Sequence, residues 1–166
     1  MKKHAPDAID LLDADHLAVH ALFQSYRDLA RNGAPIQQRR ALAEEICIEL
    51  TIHARLEEEL FYPAVREALG DDDLMDEAED QHGSQREFVA QILAAPPDDE
   101  LYDARVAVLA EYVERHVRQE REQVFNRALA SRLDLQSLAR SLTIRKEELR
   151  AVSDALREDA LASALA

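Results

Sequence analysis

The stretch IHARLEEELFYP, residues 52–63, decides the fold. It has no glycine and holds its only proline at the end, so it reads as helix. Residues three and four apart share a helix face. The stripe that should turn inward reads Leu42, Ile46, Leu50, His53, Glu57, Leu60, Ala64. It sets an imidazole and a carboxylate one turn apart on an otherwise apolar face. A bundle helix needs a reason for that.

The same spacing recurs along the chain. Pro6-Asp7 opens a pattern that ends at Asn32-Gly33, with the stripe Ile9, Leu12, His16, Val19, Phe23, Tyr26. Pro35 opens the second pattern, which ends at Gly70. A third runs from about Leu74 to Ala95 with Met75, Ala78, His82, Gln85, Val89, Ile92. Pro96-Pro97 stops it. Asp98 or Asp99 caps a fourth, reaching about Ala130, with Leu109, Val113, His116, Glu120, Val124, Ala128. Proline and aspartate at helix starts and glycine at helix ends is the expected asymmetry. A last helix spans about 135–161. No stretch alternates like a strand. Short connections make successive helices antiparallel neighbours, so the expected fold is all-α. It is an up-down-up-down four-helix bundle over about 7–130 with an additional C-terminal packing helix, the whole 1–166 forming one domain.

Composition agrees. Of 166 residues 47% are hydrophobic, yet there is no Trp and only three Gly, and Ala, Leu, Glu and Arg dominate. The net charge of −14 repels phosphate backbones and anionic lipid, so neither nucleic acid nor membrane is an expected partner. No apolar run reaches transmembrane length, and no signal peptide is apparent. The single cysteine, Cys47, excludes an internal disulfide and suits a cytoplasmic setting, where it reads as a small buried apolar residue.

Each of the four stripes carries one histidine, and two of them add a glutamate four residues on. Going up one helix and down the next, the four histidines fall at similar depth. A single histidine on such a stripe is ordinarily a core residue bonded to a carbonyl. Four with two glutamates at one depth are not an accident of packing. Burying the carboxylates without a cation costs several kcal/mol per ion, and a bound metal removes that cost. Six nitrogen and oxygen donors exceed the four of a structural zinc site. With no thiolate among them they suit iron first, then manganese or zinc. Glutamates on opposite helices can each bridge two ions, with the histidines as terminal ligands, so two metals are expected.

The chain also echoes itself: HARLEEELFYPAV (53–65) aligns with HVRQEREQVFNRA (116–128). Both read H-x3-E with an aromatic nine residues after the histidine, Tyr62 and Phe125. This resembles the hemerythrin-like HHE cation-binding family, whose segments read roughly H-x3-E-E-x3-F-P. DADHLAVHALF (13–23) is similar to that family's opening D-H-x3-H segment, and EDQHGSQREF (79–88) to its third-helix E-x2-H segment. The resemblance implies a non-haem di-iron centre with an oxo or hydroxo bridge. Its terminal ligands would be His16, His53, His82 and His116, and its bridging carboxylates Glu57 and Glu120. It implies a protein that binds or senses oxygen or nitric oxide, or handles iron. An enzyme acting on peroxide or nitric oxide, or repairing metal centres, is the alternative, and a metal-free helical interaction module a further one.

Departures from the family pattern raise questions. Oxygen-carrying hemerythrins have another histidine where this chain has Arg86, so one iron has a ligand fewer. Glu79 shares a face with His82 and is a candidate replacement. His20, one turn beyond His16, is a candidate seventh ligand, and Glu58 can touch the site. Asn126 stands where the second segment usually has proline, which leaves that helix's ending open. Tyr62 and Tyr26 read first as core packing, with lining of the site's cavity as the alternative, and His4 reads as a solvated terminal residue. A ferritin-like centre would need E-x2-H on two helices; only Glu79–His82 fits.

Overall fold

A computed structural model describes residues 4–163; the first and last three positions of the expected domain lie outside the described residues. The described chain is helical, with no strand. Helix α1 (Ala8–Arg31) begins at a reciprocal cap: Asp7 Oδ1 accepts from the Asp10 amide at 2.9 Å, and Asp10 Oδ2 from that of Asp7 at 3.0 Å. Helix α2 (Ile36–Leu56) follows Pro35. It runs without a break through a wide turn, Glu57–Phe61, into α3 (Tyr62–Leu69). Helix α4 (Asp72–Ala94) is capped by Asp71, whose Oδ1 accepts from Leu74 N–H at 3.1 Å. Helix α5 (Tyr102–Glu120) starts later than expected. Asp99 caps the preceding turn instead, accepting from Leu101 N–H at 3.0 Å. A second wide turn, Arg121–Phe125, leads into α6 (Asn126–Ala130), so Asn126 continues the helix rather than ending it. α1, α2–α3, α4 and α5–α6 are the four bundle helices.

In both wide turns a backbone bond spans five residues instead of four: Tyr62 N–H to Glu57 O, and Asn126 N–H to Arg121 O. Such π-helical turns recur at functional sites. The first corrects the expected stripe. Leu60 and Ala64 are only half-buried, while Phe61, Tyr62 and Val65 lie fully inside. One extra residue in the turn rotates the downstream face by one position. Leu42 is also half-buried, with Ala43 inward instead. The other three stripes are buried at every expected position.

The expected last helix is two. Helix α7 (Leu135–Ala151) lies across α1 and α2, and after a bend at Val152 helix α8 (Ser153–Ala162) lies across α2 and α4. Leu142, Leu149 and Leu156 bury themselves there, each contributing about 1.5–3 kcal/mol. Their cover explains why α2 is apolar beyond one face, with Ile52, Ala54 and Leu56 inside as well. Half-exposed pairs such as Arg145–Glu59 (2.7 Å) and Arg157–Glu44 (2.9 Å) add about 1 kcal/mol or less each. Cys47 is a free buried thiol, as expected, and burial pushes its pKa up to about 12.

Two apolar clusters fill the bundle, one around Leu12, Leu56, Phe61 and Met75, the other around Phe23, Leu50, Val89 and Leu109. The histidines fall between them along every helix. Gly70 ends α3 in the left-handed conformation (φ 64°), donating to Arg66 O at 2.9 Å. A Cβ there would meet nothing within 4 Å, so Gly70→Ala pays only backbone strain, about 1–2 kcal/mol. The expected result is a Tm lower by about 2–8 °C in thermal unfolding.

Candidate metal centre

The structure brings His16, His53, Glu57, His82, His116 and Glu120 into one buried layer. They form two overlapping groups. His16, His53, Glu57 and Glu120 each offer an atom within 4.8 Å of the others, and so do Glu57, His82, His116 and Glu120. Both glutamates belong to both groups. Helix periodicity produces this: each H-x3-E segment puts its pair on one inward face, and the up-down-up-down order sets α2 and α5 diagonally across the bundle, running the same way, so the two faces meet at its centre.

In the first group His16 Nε2 lies 3.0 Å from His53 Nε2 and 3.3 Å from Glu120 Oε1, and His53 Nε2 lies 2.7 Å from Glu57 Oε1. Two ring nitrogens 3.0 Å apart match neighbouring ligands at about 2.1 Å from a shared ion. In the second group His82 Nε2 is 3.5 Å from Glu57 Oε1, and His116 Nε2 is 3.5 Å from Glu120 Oε2. Several of these approaches are off the hydrogen-bonding direction. Both Glu57 oxygens, Glu120 Oε1 and His116 Nε2 are buried with no hydrogen-bond partner. Four orphaned donor atoms converging on one layer fit cations between them, because native interiors rarely leave such atoms unsatisfied.

Protein groups alone hold this layer in an uneven charge state. Burial opposes a charge on His53, but the Glu57 carboxylate and Asp15 outweigh it and raise its pKa to about 10. Burial likewise opposes ionisation of Glu57, and the His53 charge overcomes it, so Glu57 stays well below its usual value. Burial and then the Glu57 charge push Glu120 up to about 7. Burial brings His116 down to about 3, against the pull of Glu57.

The outer ring nitrogens meet unequal neighbours. His53 Nδ1 lies 3.1 Å from Asp15 Oδ2, and Asp15 Oδ1 in turn receives Lys146 from α7. His16 Nδ1 makes no hydrogen bond; the nearest carboxylate, Asp13, lies 3.5 Å away and is held by Arg121 at 2.8 Å. His116 Nδ1 meets the neutral amide oxygen of Gln81. His82 Nδ1 has no hydrogen-bond partner, the Glu58 carboxylate lying 3.9 Å away. A carboxylate is therefore hydrogen-bonded behind one histidine of the first group, His53, and an amide behind one of the second, His116.

Tyr62 packs in the core and also belongs to this layer, the alternative its sequence position allowed. Its hydroxyl donates to Glu120 Oε2 and lies 3.2 Å from His82 Nε2. Burial and the two glutamates raise its pKa well above the usual phenol range, so it stays a proton donor. The wide turn at Glu57–Phe61 is what rotates it inward. The ligand-free tail also reaches the site, through Lys146 and Asp15. Asp13 and Asp15 stand in the quoted DADHLAVH segment, and Gln81 directly precedes His82, so adjacency to a histidine was the available signal; nothing local pointed to Lys146.

The additional candidates do not converge. Glu79 is exposed and faces Arg66 at 3.5 Å, so it does not fill the place of a missing ligand. His20 is exposed, 3.5 Å from Gln24. Arg86 folds onto Glu58, and this ion pair stands at the outer edge of His82. Tyr26 donates to Asp103 at 2.6 Å, away from the centre, and His4 is exposed.

Comparison with known proteins agrees with this geometry. A Nostoc sp. protein described as a DNA nickase is 34% identical over 116 residues, 70% of this chain and 32% of its own length. The chain thus spans about a third of that relative. The crystal structure of a hemerythrin HHE cation binding domain-containing protein from Mycobacterium kansasii superposes with a TM-score of 0.74 at 22% identity, covering 95% of this chain and 100% of the other. It has the same fold. Among the described residues no helix is long and apolar enough to cross a membrane. The hemerythrin HHE cation binding domain family matches residues 7–128, and with its two buried histidine–glutamate groups the chain belongs to that metal-binding, hemerythrin-like family.

Proposed function

We propose that the six residues hold two iron ions, and that the protein binds or senses oxygen or nitric oxide, or handles iron. The observation that carries this is the sharing of Glu57 and Glu120 by both ligand groups. Shared carboxylates imply two adjacent ions, and a nitrogen–oxygen set without thiolate favours iron over manganese or zinc. When bound, a reduced iron pair supplies electrons and an open coordination position to a diatomic ligand. The chain's own residues do the rest. Phe61, Phe125, Leu12 and Leu56 keep bulk water from one side of the layer. Tyr62 keeps a proton beside Glu120, and Gln81 orients His116.

The experiment is metal analysis with spectroscopy. Purified protein should hold close to two irons per chain and absorb in the near ultraviolet; one zinc, or no metal, overturns the reading. Reduced protein exposed to oxygen then separates the roles. A reversible adduct marks a binder or sensor. Rapid irreversible oxidation, or turnover of added peroxide, marks the second reading, an enzyme of peroxide or nitric oxide detoxification or metal-centre repair. A metal-free interaction module leaves the orphaned buried atoms without a purpose. The net charge of −14 argues against a nucleic-acid partner, so the Nostoc protein's nickase description is not carried over. A cytoplasmic setting remains part of the proposal.

The carboxylate behind His53 should strengthen the first metal position. Asp15→Asn is expected to weaken metal there by about 10–100-fold and to leave the His82–His116 position unchanged. A stepwise metal titration reads this; equal weakening of both positions would show that Asp15 does not act through His53.

A further inference from the structure

Helices α7 and α8 close two seams of the bundle, α1/α2 and α2/α4, while the α1/α5 seam stays open as a groove of about 450 Å³ at His16. Helix α7 does more than cover. Two of its adjacent side chains reach the surroundings of the metal layer. Lys146 donates to Asp15 Oδ1, and Asp15 Oδ2 lies 3.1 Å from His53 Nδ1. Arg145 donates to both oxygens of Glu59, at 2.7 and 3.3 Å. Glu59 stands in the wide turn that begins with Glu57, and Asp15 directly precedes His16 on α1. Arg145 and Lys146 therefore hold α1 beside His16, back the His53 ring and grip the turn that carries Glu57. Those are three of the four members of the first group.

The second group has no such anchor. His116 Nδ1 meets Gln81, whose amide donates to Gln119 at 2.9 Å, and Gln119 donates to Glu77 at 2.8 Å. That chain stays within α4 and α5. His82 Nδ1 has no partner. Only the first group is tied to the tail by a chain of hydrogen bonds among the described residues.

Lys146 acts on a cation at His53 in two opposite ways. As a charge it repels the ion. As a contact it fixes Asp15. With Nε2 committed to a metal, the ring keeps its proton on Nδ1 and presents it to Asp15, and such outer partners set ring orientation and ligand strength. Asp15 and Lys146 also border a cleft of about 290 Å³ against α7. Without Lys146 the carboxylate has room there to turn from His53 to water. The Lys146 charge stands one carboxylate and one imidazole away from the ion, and Asp15 offsets it, so the contact outweighs the repulsion.

We propose that Lys146 is a positioning residue for the first metal position, so that docking of α7 and occupancy of that position strengthen each other. This rests on the reading of the six residues as metal ligands, but not on the metal being iron.

The full chain, stripped of metal by chelation, is titrated with Zn(II) and, without oxygen, with Fe(II). Lys146→Met keeps the apolar stem and removes the donor. It should weaken the first position by about 3–10-fold, less than the loss of a direct partner. Lys146→Arg keeps a donor and should restore affinity to within about twofold. In a His53→Ala background, where the other position remains, Lys146→Met should change nothing. Asp15→Asn combined with Lys146→Met should bind no more weakly than Asp15→Asn alone, because both act through one contact. Zn(II) should also slow hydrogen exchange at the Leu142 and Leu149 amides of α7, more in the wild type than in Lys146→Met. Tighter metal in Lys146→Met, equal weakening of both positions, additive losses in the double variant, or equal slowing of exchange in the two proteins would each overturn the proposal. A wild type that takes up neither metal defeats the ligand reading and this proposal with it. Zinc without iron defeats the iron reading alone, and metal bound alike by wild type and Lys146→Met defeats this proposal alone.

Discussion

On the two-iron proposal, Glu57→Gln should empty both metal positions together. Glu57 belongs to both ligand groups, is fully buried, and has neither oxygen hydrogen-bonded. The amide keeps the shape, so the fold survives. It removes the negative charge and one oxygen donor from both ions at once. Metal analysis after gel filtration should fall from about two equivalents to almost none, a loss of at least about a hundredfold in affinity, beyond the 10–100-fold typical of an outer partner. His53→Ala is the control. His53 belongs to one group only, so it should lose one equivalent first. A Glu57→Gln protein that retains one metal would refute the bridging role.

Removing metal should lower the melting temperature by about 8–16 °C. A ligand bound only by the folded state stabilises it by about 4.1 kcal/mol at a thousand times its Kd. For a chain of this length each kcal/mol moves Tm by about 2–4 °C. The orphaned carboxylate and imidazole atoms give the physical origin, since the cation satisfies them. The increment should also depend on pH. Without a cation the folded layer carries a proton on His53 up to about pH 10 and on Glu120 up to about pH 7. Metal must expel both, so proton competition grows as pH falls and the increment is larger at pH 8 than at pH 6. His116 is neutral above about pH 3 and adds nothing to this slope. Calorimetric scans with and without chelator at the two pH values read it. An increment that grows on acidification would contradict this ligand chemistry.

The four-helix bundle and the six converging side chains were legible because both depend on one regularity, the 3.6-residue period. Given antiparallel helices, His16, His53, His82 and His116 have to share a depth. What was not legible depended on departures from that period or on long-range contact. Nothing in HARLEEELFYP announces that the helix widens at Glu57, so Leu60 and Ala64 were placed inside where Phe61 and Val65 belong. Tyr62 reads first as packing for the same reason, since its hydroxyl reaches Glu120 only after that rotation. Lys146 touches Asp15 across 131 residues of sequence, a contact set by how the tail docks. The bend at Val152 has no proline or glycine to mark it. Arg86, read as a gap, instead occupies its place with Glu58, and the opening lies across the bundle between α1 and α5.

The wide turns carry a consequence for anyone editing this molecule. Each is equivalent to one surplus residue spliced into a helix beside a glutamate that both histidine–glutamate groups share. Upstream and downstream of that splice the helix keeps separate rotational phases, one serving the metal layer and one serving the aromatic end around Phe61 and Phe125. Deleting a single residue within 58–60 would restore an unbroken phase, yet turn the downstream segment by about 100° and draw it back by about 1.5 Å. The helix would become more regular and the protein less able to be itself.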